Sequence, residues 1–223
     1  MFIGHFGAAL AAKKISPKLN LGVLFIACQL LDLIWPALVL VGVEKVAVNY
    51  SATVVTPLDF AHYPYSHSLV SALLYSAIAA GIAWKAFNKT KPAQELAAWT
   101  IGGLVFSHWV LDFLTHRPDL PLSLKIDSPK VGLGLWNSLW GTFLVEVGIF
   151  ILGVACYLQA SKKMTRKTQI PFWSLIAFLS LIYLGNVFGP KIPLGTPSSA
   201  IAGPALSLWL IVIWAYFADK KTT

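Results

Sequence analysis

Long apolar stretches constrain the fold of this chain more than any motif does. Six of them approach or exceed the about 20 consecutive apolar residues that a helix needs to cross a bilayer. They cover residues 19–43, 67–87, 94–115, 135–160, 171–189 and 200–217. With 57% hydrophobic and only 12% charged residues among 223, the composition excludes an ordinary soluble domain. The sequence therefore predicts an all-α polytopic membrane bundle of about six spanning helices.

The N-terminal residues 1–14 add a shorter helical element before these segments. Lys13 and Lys14 follow its apolar run rather than precede it, which is the reverse of a secretory signal peptide, so we expect the element to remain in the mature protein. Its roughly 11 apolar residues reach only about 16 Å as a helix. We therefore predict a short, tilted or re-entrant helix.

Basic residues alternate between the connections and predict an orientation. They are Lys13, Lys14 and Lys18 before the first segment, Lys85, Lys89 and Lys91 at and after the end of the second, Lys162, Lys163, Arg166 and Lys167 after the fourth, and Lys220 and Lys221 after the sixth. Basic loops mark the cytoplasmic side, so the connections 44–66, 116–134 and 190–199 are predicted to face the other side of the membrane. Because the formal charge of +8 is spread over these loops, no nucleic-acid partner is predicted.

A stripe of ionisable residues lies in the third spanning segment. The stretch "SHWVLDFLTH", residues 107–116, places His108, Asp112 and His116 four residues apart. Residues at this spacing share one face of a helix. Ionisable side chains inside a spanning helix are costly and occur mainly where they are paired, coordinate an ion or line a water-filled cavity. We therefore expect this stripe to face polar partners rather than lipid.

Three other elements bring His or Asp to the same level. Asp32 and His108 each lie about 20 Å from the predicted cytoplasmic ends of their helices. His67 is predicted to open the second spanning helix on the outer side, and His5 to lie at the outer end of the N-terminal element. Neutral imidazole and carboxylate suit Zn²⁺, with Mn²⁺ or Fe²⁺ as alternatives, so we predict one or two divalent ions. The predicted ligands are His5, Asp32, His67, His108, Asp112 and His116.

Other interpretations of these residues stay open. The aspartates and histidines can form a hydrogen-bonded network without a metal, and His116 can cap the end of its helix. Glu146 is the remaining acid inside a spanning segment, and it can be a general base, a further ligand or a helix contact, of which a supporting polar role is favoured. The predicted catalytic candidates are Asp112, Asp32 and Glu146.

The order of these motifs resembles the YdjM-like family of bacterial and archaeal inner-membrane proteins, which are classed as metal-dependent hydrolases. The resemblance covers about residues 1–116 and departs from the family pattern where Pro usually precedes the aspartate and where "YPY" replaces Arg-Gly. More distantly, the sequence is similar to the zinc-dependent phospholipase C and nuclease group. The matching positions are Gly4-His5, Leu31-Asp32, Ser66-His67-Ser68 and His108-x-x-x-Asp112.

These observations together predict a membrane-embedded metal-dependent hydrolase. A metal-activated water would attack a lipid or a lipid-linked ester or phosphoester from the non-cytoplasmic side. An ion or small-solute transporter, and a non-catalytic membrane protein with a structural metal, are the alternatives. We expect one integral membrane domain over residues 1–223, with the metal-site half at 1–116 and supporting helices at 117–223. The sequence carries no signal for an oligomeric state.

Overall fold

The computed structural model describes residues 1–86, 90–161 and 166–219, except the side chain of Lys167. Its helices are α1 (Ile3–Ile15), α2 (Leu21–Leu40), α3 (Pro64–His67), α4 (Leu69–Ala86), α5 (Lys91–Thr115), α6 (Leu139–Ala160), α7 (Arg166–Phe188), α8 (Ser198–Ala205) and α9 (Leu208–Ala218). The predicted end of the second segment at residue 87 lies outside the described residues. So do Lys89, Lys162, Lys163, Lys220 and Lys221, which contributed to the predicted orientation.

Within the described residues, six apolar stretches of helix are long enough to span a membrane, so the chain is an integral membrane protein. The predicted all-α bundle of six spans preceded by a short helix is confirmed. Helices α2, α4, α5, α6 and α7 each supply one span, and α8 and α9 together supply the sixth, Ser198–Ala218. Pro204 precedes the turn between α8 and α9, as expected because proline disrupts a helix interior.

Helix α1 packs inside the bundle against α2, α5 and α6. Its crossing with α6 is close, because a Cβ atom added to Gly153 would lie 2.2 Å from the backbone oxygen of Gly7. Only a residue without a side chain permits that approach. The first turns of α1, which carry His5, are buried as a result.

The second spanning helix begins later than predicted. His67 does not open it but ends the short helix α3, and α4 starts at Leu69. Pro64 starts α3 with a preset backbone angle, and Ser68 is extended. The Ser68 hydroxyl then accepts the backbone N–H of Ser71, 3.1 Å away, which caps the new helix. This break separates the orientation of His67 from that of the spanning helix.

Two short antiparallel strand pairs lie in the connections and were not predicted from the sequence. Strand β1 (Lys45–Val48) pairs with β2 (Leu58–His62), and β3 (Leu120–Pro121) pairs with β4 (Lys130–Val131). Strand β2 leads directly into α3, so the first hairpin positions His67. A 3₁₀ turn, Leu135–Asn137, precedes α6.

Candidate metal centre

Five of the predicted ligands meet inside the bundle. They are His5 of α1, Asp32 of α2, His67 of α3, and His108 and Asp112 of α5. Their ligand atoms form two groups, each within 4.8 Å, which are His5–Asp32–His108 and His67–His108–Asp112. The side chain of Asp32 is 29% exposed, whereas the other four are almost fully buried. These side chains can therefore hold a metal ion.

Imidazole nitrogens and carboxylate oxygens alternate around this centre. His108 Nε2 lies 3.2 Å from Asp112 Oδ2 and 3.8 Å from Asp32 Oδ2. His67 Nε2 lies 3.3 Å from Asp32 Oδ1 and 3.8 Å from Asp112 Oδ2. His5 Nε2 lies 3.1 Å from Asp112 Oδ1. Two ligand atoms of a tetrahedral zinc site, with metal distances of about 2.0–2.1 Å, lie about 3.3 Å apart, so the observed spacings fit an ion.

The ring of His108 is held in the orientation that a metal ligand needs. Its Nδ1 lies 2.7 Å from the backbone oxygen of Cys28, which can only accept a hydrogen bond, so Nδ1 carries the proton. The lone pair of the neutral ring is then on Nε2, which is buried and has no hydrogen-bond partner among the described residues. His5 Nδ1 is also buried and unpaired, and the His5 and His108 rings stack at 3.8 Å. Buried nitrogens without partners are unusual, and a cation beside His108 Nε2 would satisfy that nitrogen.

Another carboxylate, that of Glu44, is linked to His67 through Ser66. The side chains of Glu44 and Ser66 are fully buried, and Glu44 Oε2 accepts the Ser66 hydroxyl at 2.6 Å while Oε1 accepts the Ser66 backbone N–H at 2.8 Å. Ser66 Oγ lies 2.7 Å from His67 Nδ1. The sequence did not indicate Glu44 as a site residue, because an acidic residue in a connection between spanning helices is expected to be solvated. Ser66 could have been noticed only as a neighbour of His67.

Glu146 lies at the beginning of α1 rather than among the ligand atoms. Its Oε2 accepts the backbone N–H groups of Phe2 at 2.8 Å and Gly4 at 3.3 Å. These N–H groups have no partner within the helix, so the carboxylate completes the end of α1. This position favours the supporting role over the ligand role. The amino group of Met1 lies nearby, 2.6 Å from Asp112 Oδ1.

His116 is in neither ligand group of the described residues. Its Nδ1 lies 2.9 Å from Asp119 Oδ1 and 3.2 Å from the Tyr63 hydroxyl, and its ring packs 4.3 Å from that of Trp136. Its backbone N–H donates to the backbone oxygen of Asp112 at the C-terminal end of α5, which agrees with the capping interpretation.

Asp119 is held in its ionised form. Burial raises the pKa of its carboxyl, but hydrogen bonds from His116 and Arg117 outweigh burial and lower the pKa below its ordinary value. The carboxylate therefore orients the His116 ring, and His116 also lines a cavity beside the cluster.

The cavity beside this cluster of histidines and aspartates has a volume of about 380 Å³. Its polar lining includes Asp32, Asp112, His67 and His116, and much of the remaining wall is apolar or aromatic. Asn186 of α7 and Ser207 between α8 and α9 line it and are exposed, so the cavity reaches the surface of the bundle. A small polar wall in an apolar cleft is typical of a ligand site. Its other lining residues include Trp35, Phe60, Trp136, Ile182, Leu208 and Ile211.

Comparisons with protein-family models, with curated proteins and with solved structures gave no match to this chain. The fold and the site define the class instead, which is an all-α membrane protein whose buried histidines and aspartates can hold a metal ion. The resemblance to the YdjM-like family stays a prediction.

Proposed function

We propose that this chain is a membrane-embedded metal-dependent hydrolase of the YdjM-like kind. The observation that carries the proposal is the centre itself, in which three imidazoles and two carboxylates converge and two buried ring nitrogens lack partners. His5, Asp32, His67, His108 and Asp112 would hold one or two ions, with Zn²⁺ preferred over Mn²⁺ or Fe²⁺. When bound, a divalent ion lowers the pKa of a water and stabilises charge on a scissile phosphoryl or carbonyl oxygen.

The two aspartates differ in exposure, and we assign them different roles. Asp112 is almost fully buried and contacts the nitrogens of three histidines, so it holds the ligand set together. Asp32 is partly exposed and lines the cavity, so its carboxylate can accept a proton from a water there. Glu146 supports the site by holding α1 in place.

The cavity supports a lipid or lipid-linked ester or phosphoester as substrate. Its aromatic and aliphatic wall suits an apolar chain, while the cluster at its polar wall would meet the scissile group. The exposed rim residues provide an entry from outside the bundle. We place the site toward the non-cytoplasmic side of a bacterial inner membrane, because Lys13 and Lys14 lie at the opposite end of α1 from His5.

Metal content by mass spectrometry on detergent-purified protein tests the first step. We expect one or two equivalents of a transition metal in the wild type, a loss in His108→Ala, and retention in His62→Ala, whose histidine lies in strand β2 outside both ligand groups. A wild type that contains no metal and takes up neither Zn²⁺ nor Mn²⁺ would refute the metal site.

Hydrolysis is then tested separately on a panel of lipid esters and phosphoesters, with the metal-loaded wild type and His108→Ala compared. We expect turnover only in the wild type. Metal binding without turnover on any member of the panel would contradict the hydrolase, and Zn²⁺ or Mn²⁺ flux into liposomes would establish the transporter instead.

A further inference from the structure

Hydrogen bonds connect Glu44, Ser66 and His67 in a row. The direction in which these hydrogen bonds are donated determines which nitrogen of His67 can bind a metal. We infer that Glu44 is a positioning residue that acts through the Ser66 hydroxyl to place the His67 ring proton on Nδ1. The inference rests on the proposed metal site, because it concerns one of its ligands.

The direction follows from what each group can donate. An ionised carboxylate has only acceptors, so both Glu44 oxygens receive hydrogen bonds from Ser66, one from its N–H and one from its hydroxyl. The hydroxyl has a single proton and gives it to Glu44 at 2.6 Å. Another acceptor, the backbone oxygen of Tyr63, is 3.4 Å away and cannot compete.

The Ser66 oxygen therefore presents a lone pair to His67 Nδ1, 2.7 Å away. That nitrogen must carry the proton to complete the hydrogen bond, which leaves a lone pair on Nε2 of the neutral ring. Nε2 is the atom that faces Asp32 at 3.3 Å and Asp112 at 3.8 Å.

Burial leaves these three residues few other hydrogen-bond partners. Glu44 and Ser66 are 0% exposed and His67 is 4% exposed, so little water can supply another donor or acceptor. His108 is arranged in the same way by a different group, the backbone oxygen of Cys28 at its Nδ1. Two rings on different helices thus direct an unprotonated Nε2 toward one point, as ring partners behind metal ligands commonly do.

The Glu44→Gln substitution keeps the shape of the side chain but reverses donor and acceptor in the hydrogen bonds that lead to His67. The amide oxygen can still accept the Ser66 N–H, but the amide nitrogen donates to Ser66 Oγ. The Ser66 hydroxyl must then donate to His67 Nδ1, and the ring proton moves to Nε2. The nitrogen that faces the metal would lose its lone pair.

The test combines nitrogen NMR of histidine-labelled, metal-free protein with Zn²⁺ titration, and the His67 signal is assigned by its loss in His67→Asn. We expect protonated Nδ1 in the wild type and protonated Nε2 in Glu44→Gln, with an about 10- to 100-fold weaker Zn²⁺ affinity. Glu95→Gln, in the first turns of α5, is the matched control and should leave both readings unchanged.

Ser66→Ala provides a second variant, because removing the hydroxyl disconnects Glu44 from the ring. Neither tautomer is then enforced, and adding Glu44→Gln should cause no further change in the His67 signal or in Zn²⁺ affinity. If Glu44→Gln does not fold, Ser66→Ala alone decides, and a wild-type Nδ1 signal in it overturns the inference.

The two proposals fail in different ways. A wild-type tautomer and wild-type Zn²⁺ affinity in folded Glu44→Gln overturn the positioning role while the metal site stands. A wild type that binds no metal refutes the proposed function. The tautomer change in metal-free protein would still establish that Glu44 positions the ring proton of His67.

Discussion

Helix α1 has a buried polar cluster at each end. The two clusters differ in how many of their polar atoms have hydrogen-bond partners. At its C-terminal end Lys13 bonds the Asp219 carboxylate and the backbone oxygen of Leu19, the latter 2.6 Å away. Asp219 also accepts the N–H of Leu21 at 2.9 Å and the hydroxyl of Tyr157 at 2.8 Å. This cluster is complete within the protein, as a structural ion pair must be.

The cluster at the other end of α1 is not complete. Two carboxylates face three imidazoles, and in the part of the chain that the structure describes His5 Nδ1 and His108 Nε2 are left without partners. His108 Nε2 is 3.2 Å from Asp112 without forming a hydrogen bond. The difference teaches that burial and charge alone do not indicate a ligand site, whereas unpaired imidazole nitrogens beside converging carboxylates do.

The largest expected effect is the loss of bound metal in Asp112→Asn. The substitution keeps the shape of the side chain but removes the charge that contacts His5, His67 and His108. We expect Zn²⁺ affinity to fall by more than the about 100-fold that outer partners of ligands contribute. Zn²⁺ titration measures the affinity. An unchanged affinity would show that the cluster at the N-terminal end of α1 is structural, like the cluster at its C-terminal end.

Lys13→Met should destabilise the protein and leave its metal content unchanged. Breaking a buried ion pair by removing one partner costs about 3–5 kcal/mol, and Asp219 would be left without its cation. Unfolding in detergent measures the loss. Lys14→Met is the control, because the contact of Lys14 with Gln159 is exposed. A lower metal affinity in Lys13→Met would show that the two clusters are coupled.

Glu146→Gln should have an intermediate effect. It weakens two hydrogen bonds to the N–H groups of Phe2 and Gly4, so we expect the free energy of unfolding to fall by about 1–2 kcal/mol. Metal affinity should change less than in Asp112→Asn, since Glu146 touches α1 and not the ligand atoms. Equal loss of metal in both variants would make Glu146 a ligand.

His116→Ala should have the smallest effect on the metal. We expect metal content to stay at the wild-type level, because the ring bonds Asp119 and lies outside both ligand groups. Turnover in the lipid panel should nevertheless fall, since His116 lines the cavity. Metal analysis and activity on the same preparation separate the two effects. Loss of the ion in this variant would add His116 to the ligands.

The spans and the principal site residues can be predicted from the sequence for the same reason. Apolar length decides whether a helix can cross a bilayer, and an Asp or His inside such a helix is conspicuous because it is costly there. Asp32, His108 and Asp112 therefore stand out in the sequence itself. Glu44 does not, because a glutamate in a connection usually meets water, and no local pattern indicates that this one is fully buried.

The sequence alone determined that the chain forms apolar helices and that its intramembrane aspartates and histidines need partners. Only the tertiary structure decided which atoms become those partners. The break between α3 and α4 turns His67 toward Asp32, and the close crossing at Gly7 and Gly153 holds α1 inside the bundle. Hydrogen-bond direction depends on contacts between residues far apart in the chain, as between Glu44 and Ser66, and such contacts have no signature in local sequence.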